Sequence, residues 1–414
     1  MIRKDDKIID ITPDVKWIGI LDYEIKTFDI VMHTDYGTTY NSYFINAEKK
    51  AIIEVAKEKF SDTYIKKLRE VTNPQDIQYI ILDHTEPDHS GSLKILLEIA
   101  PSAIVVGSGN AIRYLEDIVN MPFQSLVVKH GDILDLGNKT LKFIAAPNLH
   151  WPDSIYTLLV EDKVLFTCDS FGAHYCSADM FSEFDDKYTG TYKYYFDVIM
   201  KPFSRFMLRA IDHIRPLDLE FICPGHGPVH HKNLKKAIDL SEKYASEYMN
   251  ITMPSGDNNL LIAYVSAYGY TKEAAEIIAG SILENGDITV KIIDIENISD
   301  EELESEIIKC EGLLVGSPTI NQNTLLPVYK LLALVNPLRD KGKLGGAFGS
   351  YGWSGEAPRI IQENMRLLKF KTFEETGSFK FAPAGNKEEL LKDFGRKFGQ
   401  AFLEECGRKK NPGN

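Results

Sequence analysis

The sequence predicts an α/β protein of two domains. The first half is β-rich, with two sheets flanked by helices, and the second half is a doubly wound parallel sheet. Three observations carry this reading. Short apolar, β-branched runs separated by turn residues fill the first half. From residue 260 onward, strand and helix patterns alternate at a spacing that means parallel strands joined by crossover helices. Between the two lies Ile251-Thr-Met-Pro-Ser-Gly-Asp-Asn-Asn259, whose Pro, Gly and polar content has the character of a linker. The expected domains are therefore 1–253 and 254–414.

A chain of 414 residues is long enough for that division. Its 47 basic and 60 acidic residues give a net charge of −13, which argues against nucleic acid or an anionic membrane as partner. The five cysteines form no Cys-x-x-Cys pair and read as reduced thiols in a reducing compartment. No signal-like apolar core follows Met1, and no apolar run approaches membrane-spanning length, so a cytoplasmic location is expected.

In the first half, short strand-like runs begin at Trp17, Ile30, Ser42 and Lys50, and a helix is expected over 62–71. Strand, loop and helix then follow at 78–82, 93–100, 103–107 and 110–119, with further strands at 126–128, 141–145, 154–160 and 163–167. On the loop after the strand at 78–82 stands His84-Thr-Glu86-Pro-Asp88-His89. Positions 84, 86 and 88 can converge, with His89 on the other side of the turn. Imidazoles and carboxylates at that density repel and desolvate one another unless something positive sits among them, so a metal pair competes with a merely solvated loop. Three more ligand-type residues follow at strand ends, His150, Asp169 and His226, the last fixed in Pro-Gly-His-Gly-Pro. His230 and His231, just after that turn, are expected at the surface.

His84-x-Glu86-x-Asp88-His89 with His150, Asp169 and His226 resembles the metallo-β-lactamase fold, an αββα sandwich. Glu86 stands where the hydrolases have His, which makes the site harder and more anionic, as for iron. This variant resembles the flavodiiron proteins (A-type flavoproteins). The resemblance implies that His84, Glu86 and His150 hold one iron, that Asp88 and His226 hold the other, and that Asp169 bridges them. It also implies that His89 turns away and only supports the site. Gly37-Thr-Thr-Tyr-Asn-Ser-Tyr43 and Asp169-Ser-Phe-Gly-Ala-His174 look like family segments, which brings His174 into the site. Of the aromatic helical stretch 192–200, Tyr195 is the residue expected to reach the irons, against core packing as the alternative. Many members carry a His shortly before the segment matching Gly37-Thr-Thr-Tyr; here the stretch reads Lys26-Thr-Phe28-Asp-Ile30.

In the second half, strands are expected at 260–265, 289–293, 312–315 and 343–349. Helices are expected at 271–283, 300–309, 325–334, 357–368 and 387–405. Such sheets bind ligands at the carboxyl ends of their strands. Three loops there are built for one. Ser266-Ala-Tyr268-Gly269-Tyr270-Thr271 offers hydroxyls and helix-terminal amides to a phosphate. Gly316-Ser-Pro318-Thr319-Ile-Asn321-Gln-Asn323 and Gly349-Ser350-Tyr351-Gly352-Trp353 offer polar backbone and rings to a flat heterocycle. The set resembles flavodoxin and implies FMN.

An iron pair with FMN implies an oxidoreductase reducing dioxygen to water, nitric oxide to nitrous oxide, or both. A zinc hydrolase of the same fold, or a redox sensor without turnover, is the rival class. The resemblance further implies a head-to-tail homodimer, possibly a tetramer. Electrons are expected from an external donor such as rubredoxin or a reduced deazaflavin.

Overall fold

Two sheets in the amino-terminal half share one layer of side chains, and the alternation within each strand says which. The computed structural model describes residues 5, 7–30, 32–252 and 257–410. It divides into two units, Met1–Met249 and Asn250–Asn414, and the expected boundary at 253/254 lies outside the described residues.

In the first unit a seven-stranded sheet runs in the order Ile9–Asp10, Val15–Trp17, Tyr43–Ile45, Lys50–Ile53, Ile77–Ile81, Ile104–Gly107, Gln124–Val127. Its first strands pair antiparallel and its last four parallel. A five-stranded sheet runs Ile133–Asp135, Thr140–Ala145, Ile155–Leu159, Val164–Cys168, Phe221–Pro224, with only the last pair parallel. Ile53, Ile81 and Val106 of the first sheet meet Phe143, Leu159 and Phe166 of the second in one buried core. Their neighbours Ile52, Ile80 and Val105 point the other way, under Leu68, Leu96 and Leu115 of the flanking helices. Strands buried on both faces read as continuous apolar runs, as these do. The αββα sandwich is the observed fold.

The helices Asp186–Tyr195 and Ser204–Ile214 close the outer face of the second sheet, placing Tyr192, Met207 and Ile211 over Tyr156 and Leu165. The expectation for His230 is corrected. Its ring is fully buried, with Nε2 donating to Phe171 O at 2.7 Å and Nδ1 2.9 Å from Ser182 Oγ, because the turn after His226 folds back inward. His231 is exposed as expected.

The second unit is an all-parallel sheet ordered Thr289–Asp294, Asn259–Tyr264, Gly312–Gly316, Leu344–Tyr351, with Lys371–Thr372 and Gly377–Lys380 sharing the far edge. Leu260 and Ile262 pack against Ile278 and Phe398 on one face; Leu261 and Ala263 pack against Ile307 and Val328 on the other. This is the doubly wound order. Ile262→Ala removes a fully buried side chain between sheet and helices. It is expected to cost this unit about 2–5 kcal/mol, read as an earlier loss of its structure in urea. Among the described residues, no helix is long and apolar enough to cross a membrane.

Candidate metal centre and flavin cleft

The strand Ile77–Ile81 of the first sheet and the strands Thr140–Ala145, Val164–Cys168 and Phe221–Pro224 of the second deliver their following loops to one end of the sandwich. Seven side chains meet there. His84 Nε2 lies 3.3 Å from Glu86 Oε2 and 3.5 Å from Asp169 Oδ2. His150 Nε2 lies 3.0 Å from the same Glu86 oxygen and 3.3 Å from the same Asp169 oxygen. The other Asp169 oxygen, Oδ1, faces a second set: His89 Nε2 at 3.1 Å and His226 Nε2 at 3.5 Å, with Asp88 Oδ2 3.0 Å from His226. One carboxylate therefore turns one oxygen to each of two ligand triads.

The donors fit a pair of metal ions. Metal–ligand bonds of about 2.1 Å at right angles place donor atoms about 3 Å apart, which is the spacing seen. Asp88 Oδ1 and Asp169 Oδ2 are buried without a hydrogen-bond partner, the position of an oxygen that awaits a cation. Electrostatics agrees. Burial works against charge on Asp169, yet the charge of His89 and the nearby imidazoles of His150 and His84 hold its carboxyl well below the usual range. Burial likewise opposes the His84 imidazolium, but Asp153 and Glu86 raise it to about 10, and Asp169 and Glu86 raise His150 to about 9. The carboxylates gather positive charge from whatever is at hand. A mixed imidazole–carboxylate set is the chemistry of iron more than of structural zinc.

The expectation that His89 turns away is corrected. Its ring points into the second triad, 3.5 Å from Asp88 Oδ2. The room for it comes from Gly225, where a Cβ would stand 2.5 Å from His89 Cε1. The Gly of Pro-Gly-His-Gly-Pro was a signal in the sequence, but for a close approach rather than for the turn alone.

The His84 and His226 rings are held from behind. His84 Nδ1 donates to Asp153 Oδ2 at 3.1 Å, and the same oxygen accepts from Thr85 N and Oγ1, both at 2.8 Å. His226 Nδ1 donates to Thr39 O at 2.5 Å. Such partners fix the tautomer that leaves Nε2 to the metal. Asp153 and Glu54, neither foreseen from the sequence, are the carboxylates in these outer positions.

Tyr195 is buried and its hydroxyl donates to Asp169 Oδ1 at 3.2 Å, so it reaches the cluster. Tyr192 instead donates to Ala237 O at 3.0 Å and is core. His174 is buried with Nδ1 2.8 Å from Thr38 Oγ1 and with Nε2 unpartnered; burial and nearby His226 keep it neutral. Phe28 stacks on His174 at 4.3 Å and meets His226 edge-on at 5.2 Å. An apolar ring thus walls the second triad. A cleft of about 420 Å³ lined by His33, Tyr36, Lys187 and Tyr194 runs to His174 and Tyr195.

In the second unit a cleft of about 250 Å³ opens at the strand ends, walled by Tyr268, Tyr270, Pro318, Thr319, Tyr351 and Trp353. Ser350 and Gly352 complete its floor, and Ile320 and Phe381, missed in the sequence, also line it. Gly269, at φ +84°, opens the helix Tyr270–Leu283, while Thr271 Oγ1 sits 3.1 Å from Ser350 Oγ. Ser266 Oγ is buried without a partner there, which fits a phosphate oxygen at a helix N-terminus. Asn321 and Asn323 do not line the cleft. Asn321 is exposed in a tight turn and Asn323 Oδ1 accepts from Thr324 N and Tyr329 OH, at 2.9 and 2.8 Å.

Residues 38–227 match the family model described as ODP family beta lactamase, and residues 262–394 match flavodoxin. The flavo-diiron protein FprA2 of Clostridium acetobutylicum is 37% identical over 402 residues, covering 96% of this chain and 99% of that one. This chain is a flavodiiron protein. The type A flavoprotein of Rhodobacter capsulatus is 35% identical across 94% of this chain and 90% of its own length. Among solved structures, the rubredoxin oxygen:oxidoreductase of Desulfovibrio gigas is similar at a TM-score of 0.64 and 28% identity, covering 96% and 99% of the two chains. The flavodiiron protein of Giardia intestinalis is similar at 0.63 and 27%, covering 97% and 98%. A flavodiiron protein is an oxidoreductase with FMN in the flavodoxin domain and two irons in the β-lactamase-like domain, so the zinc-hydrolase and sensor alternatives fall away.

Proposed function

We propose that this flavodiiron protein reduces dioxygen to water. His84, Glu86 and His150 would hold one iron and Asp88, His89 and His226 the other, with Asp169 offering one oxygen to each. The observation that carries this is Asp169, with one oxygen to each triad. When bound, the irons supply binding and reduction of a diatomic molecule, and FMN supplies electrons singly. The chain's own residues do the rest. The Tyr195 hydroxyl holds Asp169 Oδ1 in place, and the cleft past Tyr194 gives a small molecule a way to His174. Phe28 puts an apolar ring on that wall, stacked on His174.

Dioxygen is favoured over nitric oxide as the substrate because the Desulfovibrio gigas relative is named an oxygen oxidoreductase. The same name supports rubredoxin as electron donor. Tyr268 and Trp353, 83% and 78% exposed at the flavin cleft, suit a protein surface that docks there. That surface belongs to the donor and, in a head-to-tail homodimer, to a second copy. The five cysteines form no disulfide among the described residues, which agrees with a cytoplasmic location.

The test is to reduce the purified protein under nitrogen and compare turnover with dioxygen and with nitric oxide. Faster nitric oxide consumption, with nitrous oxide as product, would reverse the assignment. Gel filtration giving only an active monomer would remove the dimer.

A further inference from the structure

Glu54 follows the strand Lys50–Ile53 and is fully buried, yet no sequence motif points to it. Its backbone sits at φ +57°, a region a non-glycine residue occupies only when its surroundings hold it there. Ile81 O accepts from its N–H at 2.9 Å and Ser42 Oγ donates to its carbonyl at 2.7 Å. The side chain divides its work. Oε1 accepts from Asp83 N at 2.6 Å and His84 N at 3.1 Å. Oε2 has no other hydrogen-bond partner and lies 3.4 Å from His89 Nδ1. The nearest competitor for that nitrogen is the Cys168 thiol, farther away at 3.7 Å.

We propose that Glu54 is the positioning residue of the metal centre: Oε2 accepts from Nδ1–H of His89, keeping the proton there and leaving Nε2 unprotonated toward the Asp88–His226 triad, while Oε1 fixes the backbone that launches His84. One carboxylate thus orients a ligand in each half of the site. Three features converge on His89. Gly225 leaves it room, Val55 N donates to His89 O at 2.9 Å, and Glu54 sets which nitrogen carries the proton. Asp153 does the same for His84, so the two halves share one device. The inference rests on the diiron reading above.

Glu54→Gln separates orientation from packing. The amide keeps an oxygen for the two backbone N–H groups but turns an NH2 toward Nδ1. That favours the tautomer with the proton on Nε2, which cannot bind metal. The expected result is about a 10–100-fold loss of affinity for one of two irons, seen as one iron per chain after chelator challenge. The spin-coupled EPR signal of the mixed-valence pair is expected to disappear, while FMN content stays at wild type. His89→Ala should give the same loss, and the double variant no more than either alone.

Independently of any variant, 15N NMR of the wild-type chain loaded with zinc as a diamagnetic stand-in should show the His89 proton on Nδ1 alone. Two irons held by Glu54→Gln with the wild-type signal, or a wild-type His89 proton on Nε2, would overturn the role of Glu54. A wild-type chain that takes up no iron overturns the diiron reading itself, and is told apart because wild type and variant then behave alike.

Discussion

Asp169→Asn is expected to strip both irons and abolish turnover while FMN remains bound at full stoichiometry. The carboxylate is shared: Oδ2 lies 3.3 Å from His150 Nε2 and 3.5 Å from His84 Nε2, and Oδ1 3.1 Å from His89 Nε2. An amide offers one oxygen and one NH2, so whichever half meets the NH2 loses a ligand and faces donor protons. The negative charge that offsets two cations is lost as well. Changing an outer partner of a metal ligand already costs about 10–100-fold in affinity, and a shared ligand should cost at least the upper figure for each ion. Metal analysis and flavin absorbance on one sample check it. Loss of both cofactors together would contradict their assignment to separate units.

Gly349→Ala is the mirror experiment, expected to release flavin and spare iron. A Cβ at 349 would stand 2.0 Å from Ser317 O, a backbone atom that cannot swing aside. Ser317 and Thr319 are tied to the neighbouring strand end, with Ser317 N donating to Phe348 O at 3.2 Å and Thr319 N to Ser350 O at 2.8 Å. Pro318, Thr319, Ser350 and Tyr351 line the cleft, so forcing these backbones apart moves two of its walls. Overpacking of this kind costs about 1–3 kcal/mol. If that strain falls on the bound form, flavin affinity drops by about 5–150-fold at about 1.4 kcal/mol per tenfold. Fluorescence titration of the flavin-free chain with FMN reads it. Unchanged affinity would mean that the strands part without disturbing the cleft.

Much of this was legible in the sequence because it is local. The runs around Ile80-Ile81 and Leu260–Tyr264 announce buried strands by composition, and the helices 300–309 and 357–367 by periodicity. The six candidate ligand positions stood out since each follows a strand end. What escaped depends on contacts between distant segments. Glu54 is one carboxylate after an apolar strand, and only the approach of Asp83 and His89 gives it a task. The inward turn of His89 is set by a glycine 136 positions later. His230 looked exposed because the turn holding His226 is polar, and its burial comes from Phe171 and Ser182 folding over it. Phe381 joined the flavin cleft unannounced, since the strand Gly377–Lys380 just before it is too short to stand out.

The loop carrying His84, Glu86, Asp88 and His89 leaves one sheet of the sandwich, whereas His150, Asp169 and His226 leave the other. Each triad draws from both: His84 and Glu86 reach across to His150, and Asp88 and His89 reach across to His226. Ions held there would act as rivets through two plates. Any slippage of one plate over the other must break bonds to both metals at once, and every bond so broken is one the folded chain gained on loading. Catalytic competence and cohesion of the amino-terminal half would, in this molecule, rest on the same seven side chains.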